Sequence, residues 1–245
     1  MGTILKFELY KLFRQKSFYI CTAVMAALTV IGALISKIAS KMVDSFDMNG
    51  LKYMASAAGN SEFVLIFSIF TALLICDDFA HDTIKNIICK GYGRTNICIS
   101  KYITSLVAMT IMYVSMIIVS FLIGTAFWGI GSEDKVASRL ILQFIVLLGY
   151  HAFFFAVSLV IGKTGGAISV NIIVPMMGGL IFTIADSLLK LDNISFSDYW
   201  IENAMSVVTD VSSSTSAITV AVIVAIVYAI VFFSAGLFMN KRKQF

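Results

Sequence analysis

The sequence predicts an all-α membrane protein with six transmembrane helices. Hydrophobic residues make up 59% of the 245 residues and charged residues only 13%, whereas a soluble domain is nearer half apolar and a quarter charged. Six apolar stretches reach the roughly 20 residues that a helix needs to cross a bilayer. None alternates as a barrel strand does, so helices, which satisfy their own backbone groups in lipid, are the expected form.

We expect a single transmembrane domain over residues 1–245, in three parts. An interfacial helix occupies 1–17, the six-helix bundle occupies 18–239 and a basic cytoplasmic tail occupies 240–245. The four cysteines form no C-x-x-C pair, so free thiols are expected. The six spans are expected at 18–38, 58–76, 103–128, 140–161, 167–189 and 217–239.

Lysine and arginine in the connecting segments indicate the orientation. One side of the membrane receives twelve of the eighteen cations and four of the fourteen acids, a net charge of +8, and the other side receives six and ten, a net charge of −4. Cytoplasmic loops carry the excess of basic residues. Both termini are therefore expected in the cytoplasm of a bacterial cell, with 39–57, 130–138 and 190–216 outside. The basic tail Lys241–Lys243 is explained as a membrane anchor, without nucleic acid.

Residues 4–16 have the pattern of an amphipathic helix. The expected apolar face consists of Leu5, Leu9, Leu12 and Phe13. The opposite, polar face consists of Glu8, Lys11, Arg14 and Gln15. This pattern predicts an interfacial helix along the inner leaflet. A simple extension of the first span is the alternative.

The segment between the second and third spans predicts a short cytoplasmic helix over 82–90. Its apolar face is expected to carry Ile84, Ile87 and Ile88, and its polar face Asp82, Lys85, Asn86 and Lys90. Asp82 is placed to cap the first turn and Gly91 to end the helix. The pattern is typical either of a solvated loop or of a docking element for a cytoplasmic partner.

This stretch resembles the first cytoplasmic loop of ABC-2 type transporter permeases. That loop has an acid, then Gly-Thr-hydrophobic-Lys, then Gly-x-x-Arg before the third span. Here Asp78 takes the place of the acid, Thr83-Ile84-Lys85-Asn86 matches the core, and Gly91 with Arg94 matches the end. The start of the chain at 7–12, the six spans and the total length are also similar. Asp82 stands where glycine is usual, which changes the backbone expected there.

The resemblance implies the permease subunit of an ATP-driven exporter rather than an enzyme. A second permease chain, identical or different, would pair with it, and a separate ATPase would dock on the 79–94 loop. ATP and Mg²⁺ would be bound by that ATPase, and no cofactor or metal by this chain. Asp78 is expected to hold the loop to a neighbouring cation. The implied coupling residues are Asp78, Asp82, Thr83, Ile84, Lys85, Asn86, Ile87, Ile88 and Arg94.

The cargo implied by the resemblance is a hydrophobic or amphipathic peptide. The permeases that are most similar in size expel lantibiotics or other peptide toxins from Gram-positive bacteria, for self-protection or secretion. Relatives that move drugs or lipids make a multidrug or lipid exporter the alternative.

Motifs of three other function classes are missing. The ATPase motif G-x-x-x-x-G-K-[ST] is approached only at Gly162-Lys163-Thr164, where Val157 replaces the first glycine. An intramembrane enzyme would need a motif such as H-E-x-x-H; His81 and His151 lie in different segments, and His151 is expected to pack between helices or face a pore. An ion-coupled transporter would hold ionisable groups inside its spans, where Asp186 is the exception.

Pro175, the only proline, lies inside the fifth span and is followed by Gly178 and Gly179. Proline removes a backbone hydrogen bond and clashes with the preceding turn. We therefore expect a kink or break near 171–179, with Asn171 satisfying the freed carbonyl groups. These four residues are candidates for the transport path.

The outer segment 190–216 is long and carries aromatic and aliphatic residues among acids. Because aromatic residues favour the membrane interface, we expect this segment to be ordered at the outer leaflet. A plain solvated loop is the alternative, and a re-entrant turn is left open.

Overall fold

The computed structural model describes residues 2–42, 48–80, 83–133, 135–189, 195–210 and 212–242, and of residues 84–86, 241 and 242 it describes the backbone alone. This part of the chain contains ten α-helices, one 3-10 turn and no strand. The helices are α1 Gly2–Arg14, α2 Lys16–Ala39, α3 Gly50–Ala58, α4 Ser61–Ala80, α5 Thr83–Cys89, α6 Arg94–Trp128, α7 Val136–Ile161, α8 Thr164–Leu189, α9 Ile201–Thr209 and α10 Thr215–Arg242; the 3-10 turn is Phe196–Tyr199.

Six of these helices, α2, α4, α6, α7, α8 and α10, are long and apolar enough to cross a membrane. The expected all-helical fold with six spans is therefore confirmed. The ends agree within a few residues, except that α6 begins at Arg94 instead of near 103. The apolar stretch alone set the expected start, and the helix continues through the polar residues before it.

Two spans, α4 and α7, form the centre of the bundle. In each of them 67% of the apolar window is buried, against 17–33% in the other four spans. Phe67, Phe70 and Phe154 are fully buried where α4 and α7 meet their neighbours. The outer faces of α2, α8 and α10 are consequently left free for lipid or for another chain.

The segment 39–57, expected outside the membrane, contains the helix α3, which packs against α6. The Gly50 N–H donates to the Gly129 carbonyl oxygen at 2.9 Å. A Cβ on Gly50 would lie 2.8 Å from that oxygen, and one on Gly124 would lie 3.0 Å from the Gly50 oxygen. Glycine at both positions therefore permits this close approach. Residues 43–47 lie outside the described part of the chain.

The segment 190–216, expected outside the membrane, is helical over much of residues 195–210; its position at the outer leaflet stays a prediction. Asp186, at the end of α8, accepts hydrogen bonds from the Phe196 and Ser197 N–H groups at 2.7 and 2.9 Å, and from the Ser195 hydroxyl. The buried face of α9 packs against α7 and α10. Residues 190–194 and 211 of the expected segment lie outside the described residues.

Of the kink or break expected at Pro175, the break is wrong, because α8 runs as one helix from Thr164 to Leu189; a kink within this helix stays a prediction. The Asn171 amide does not reach carbonyl groups of its own helix; it donates to Ser158 Oγ at 3.2 Å and to the Ser68 carbonyl at 3.5 Å. The segment 195–210 contacts α8 at this point, where Trp200 Nε1 donates to the Pro175 oxygen at 3.1 Å.

Candidate functional site

The expected helix between the second and third spans is present as α5, Thr83–Cys89. Gly91 ends it in a left-handed conformation with φ +85°, and the Gly91 N–H donates to the Ile88 oxygen at 2.9 Å. This conformation favours glycine, because the Cβ atom of any other residue would crowd the backbone there. The capping role predicted for Asp82 lies outside the described residues, as does His81.

The surface of α5 is partly open. Thr83, Ile87 and Ile88 are half-buried, and Cys89 is exposed. The side chains of the other three predicted coupling residues on this helix, Ile84, Lys85 and Asn86, lie outside the described part. An apolar face including Ile87 and Ile88 therefore remains accessible to another protein.

Four charged side chains, which we call the basal cluster, meet where α1, α4 and α6 come together: Glu8, Lys11, Asp78 and Lys101. Lys101 Nζ lies 3.0 Å from Glu8 Oε1 and forms an ion pair with one carboxylate oxygen of Asp78. Lys11 pairs with the other Asp78 oxygen. The side chains of Glu8, Asp78 and Lys101 are each 2% exposed, and that of Lys11 is 26% exposed. The expected pairing of Asp78 with a neighbouring cation is confirmed.

The basal cluster contains two cations and two anions, so its formal charge is zero. Buried ions are tolerated when they are paired in this way, because an unpaired one would lose its hydration without compensation. Asp78 lies at the end of α4, just before α5, and Lys101 lies near the start of α6, just after it. The cluster therefore joins both ends of the segment that carries α5 to the first helix of the chain.

The structure corrects the orientation expected for α1. The buried residues are Ile4, Glu8 and Leu12, whereas Phe13 of the expected apolar face is 47% exposed. Leu5 and Leu9 of that face are half-buried. Helical periodicity placed Glu8 on the polar face, away from the bundle. The buried Lys101 needs a counterion, however, and the Glu8 carboxylate supplies it.

Arg94, the last predicted coupling residue, begins α6, and its carbonyl oxygen accepts a hydrogen bond from Asn240 Nδ2 at 3.2 Å. The C-terminal helix α10 therefore contacts the segment that follows α5. This brings the C-terminal end of the last span to the same region as the basal cluster.

His151 packs between helices, as one of the two expectations had it. Its Nε2 lies 2.7 Å from Ser105 Oγ on α6, and its ring centroid lies 4.5 Å from that of Tyr102. The side chain is completely buried. Among the described residues, no three His, Cys, Asp or Glu side chains are grouped so that they could hold a metal ion.

Sequence reasoning identified Asp78 but missed its partners Glu8, Lys11 and Lys101. One signal was present: Lys101 directly precedes a long apolar run, and a cation at the end of a span either reaches the interface or finds an acid. The acid could not be chosen, because Glu8 is distant in sequence.

Comparison with known protein families identifies a similarity over most of the chain. The model of a family described as ABC-2 family transporter protein matches residues 4–186. This range begins in α1 and ends in α8, so it contains α5 and the whole basal cluster. No curated protein matches the chain.

Proposed function

This chain belongs to the ABC-2 transporter family, and from that premise we propose that a separate ATPase docks on its helix α5 and drives export. Family membership makes the chain a multi-pass membrane permease, the transport subunit of an ABC exporter. We further propose that the active unit holds two permease chains in a bacterial cell membrane, with both termini in the cytoplasm and ATP and Mg²⁺ bound by the ATPase.

The observation that carries this proposal is the position of α5. The helix presents half-buried Ile87 and Ile88 on a short, glycine-ended segment. Both ends of that segment are held by the buried ion pairs of Asp78 and Lys101. A contact made on α5 is thus connected to three other helices through interactions that are costly to break.

The mechanism that follows is alternating access. ATP binding closes the partner ATPases and displaces α5. The basal cluster passes this displacement to α1, α4 and α6, and the paired bundles repack so that a path between them opens first to one side and then to the other.

We propose an amphipathic peptide as the cargo, exported for self-protection or as a secreted toxin. The resemblance of the sequence to peptide-exporting permeases supports this choice. A drug or lipid exporter is the alternative. Challenge of cells that express the permease and its ATPase distinguishes the two: resistance to a lantibiotic, without resistance to lipophilic dyes, is the expected result.

Ile87→Asp tests the docking surface, because it places a charge in the proposed apolar contact. We expect the tagged variant to lose the ATPase that co-purifies with the wild-type permease from the native host. That ATPase is identified by its G-x-x-x-x-G-K-[ST] sequence and its Mg-ATP hydrolysis. Since Ile87 is already half-exposed, the variant should reach the membrane at the wild-type level.

Lys163→Glu is the matched control, because Lys163 is exposed in the short turn between α7 and α8. It should retain the ATPase. Lys85→Glu, at a residue whose side chain lies outside the described part, is expected to retain the ATPase but to hydrolyse ATP without transport. Full co-purification and normal coupling of Ile87→Asp would refute docking on α5.

A further inference from the structure

A cavity with two polar groups in its wall lies apart from the basal cluster. This cavity of about 250 Å³ is enclosed by α4, α7, α8 and α9. Its wall is mostly apolar and includes Phe154, Pro175 and Met205. The polar residues that line it include Asn171 on α8 and Glu202 on α9.

Asn171 provides a buried hydrogen-bond acceptor. Its side chain is 1% exposed. The amide nitrogen donates to Ser158 and Ser68, whereas Oδ1 has no hydrogen-bond partner among the described residues. A buried acceptor without a partner costs free energy, and a ligand with an N–H group would remove that cost.

Glu202 provides the second acceptor, at the outer rim. A Cβ on Gly179 would lie 2.7 Å from Glu202 Oε2, so the absence of a side chain there lets the carboxylate lie over α8. No described residue forms an ion pair with Glu202. Partial burial raises the pKa of the Glu202 carboxyl, which is the response of an acid that lacks a neighbouring cation.

The cavity continues outward into a groove of about 420 Å³ lined by Met176, Gly179, Trp200 and Glu202. Met176 and Glu202 belong to both spaces. Together they form a mostly apolar channel in which a carboxylate and an amide oxygen are the unpaired acceptors. Polar groups placed in this way determine which ligands an apolar pocket accepts.

We propose that this cavity binds the ammonium head of a cationic amphiphile. The Glu202 carboxylate accepts the N–H groups, and the apolar wall with the adjoining groove contacts the alkyl chain. An anionic amphiphile would be repelled by Glu202, and a neutral one would leave the carboxylate unpaired. The site requires neither ATP nor the ATPase, so its test is separate from that of docking on α5.

Trp200 lines the groove and reports on occupancy. The only other tryptophan, Trp128, ends α6. The protein used in the titration carries Trp128→Phe, so that the fluorescence comes from Trp200 alone. The purified permease is placed in nanodiscs of neutral lipid and titrated with a terminally brominated undecylamine, whose bromine quenches indole fluorescence on contact. We expect saturable quenching at a concentration about tenfold lower than with the matching brominated alcohol, because a charge-assisted hydrogen bond is the stronger one.

Glu202→Gln should raise the half-quenching concentration of the amine about tenfold and leave that of the alcohol unchanged. Glu62→Gln, an exposed glutamate that lines a different cavity on α4, is the matched control and should behave as the parent. Equal half-quenching concentrations for amine and alcohol, or an unchanged value in Glu202→Gln, would overturn the proposal.

Discussion

Replacement of Lys101 by methionine tests whether the basal cluster holds α1, α4 and α6 together. Lys101 Nζ lies 3.0 Å from Glu8 Oε1 and also pairs with Asp78. At an effective dielectric constant of about 20, one such pair has a Coulomb energy of roughly 5 kcal/mol, much of which the dehydration of both ions offsets. Removal of Lys101 leaves the buried Glu8 carboxylate without a cation and leaves Asp78 with Lys11 alone, so we expect Lys101→Met to lower the free energy of unfolding by about 3–5 kcal/mol.

The assay is unfolding in detergent, followed by the fluorescence of the purified permease. Lys163→Met is the control, because the exposed Lys163 has no comparable burial, and its effect should stay within about 0.5 kcal/mol. The double variant Glu8→Gln, Lys101→Met should recover part of the loss, because it replaces one buried ion pair by neutral groups and leaves the Lys11–Asp78 pair intact. A loss below about 1 kcal/mol in Lys101→Met, the size of an exposed pair, would refute the reasoning.

Three further predictions concern the rest of the fold. In a variant without accessible native cysteines, Ser213→Cys should react with an impermeant thiol reagent on intact cells and Thr95→Cys should not; the reverse result would invert the orientation. Gly178→Ala places a Cβ 2.0 Å from the Trp200 ring and should lower the free energy of unfolding by about 1–3 kcal/mol. Gly165→Ala, with open space around its Cβ, should be neutral in the same unfolding assay. Equal stability of the two variants would contradict the packing described. Asp186→Ala removes the acceptor of three hydrogen bonds and should speed proteolysis within 195–210, measured on purified protein; an unchanged rate would show that other contacts hold this segment.

The spans and the helix α5 could be predicted from the sequence because their signals are local. A run of apolar residues long enough to cross the bilayer identifies a span wherever it packs. Gly91 likewise ends α5 through its own backbone conformation. These features need no knowledge of which helices are neighbours.

The basal cluster and the unbroken α8 could not be predicted, because both depend on distant partners. Periodicity placed Glu8 on a polar face, and only the packing of α1 on α6 shows that Lys101 is beside it. The break expected at Pro175 assumed an isolated helix, whereas α8 packs against other segments there, including Trp200, 25 residues later in the chain.

The length of α6 has a geometric consequence for the whole chain. Among its 35 residues, Lys101 lies near the N-terminal end and Gly124 near the C-terminal end. These two residues are about 35 Å apart at 1.5 Å per residue. If the helix tilts as a rigid rod about its midpoint, a rotation of about 5° moves both residues by about 1.5 Å in opposite directions. Gly124 lies against Gly50 with no room for a methyl group. A sideways displacement of α6 at the basal cluster must therefore shift α3 by a similar distance in the opposite direction.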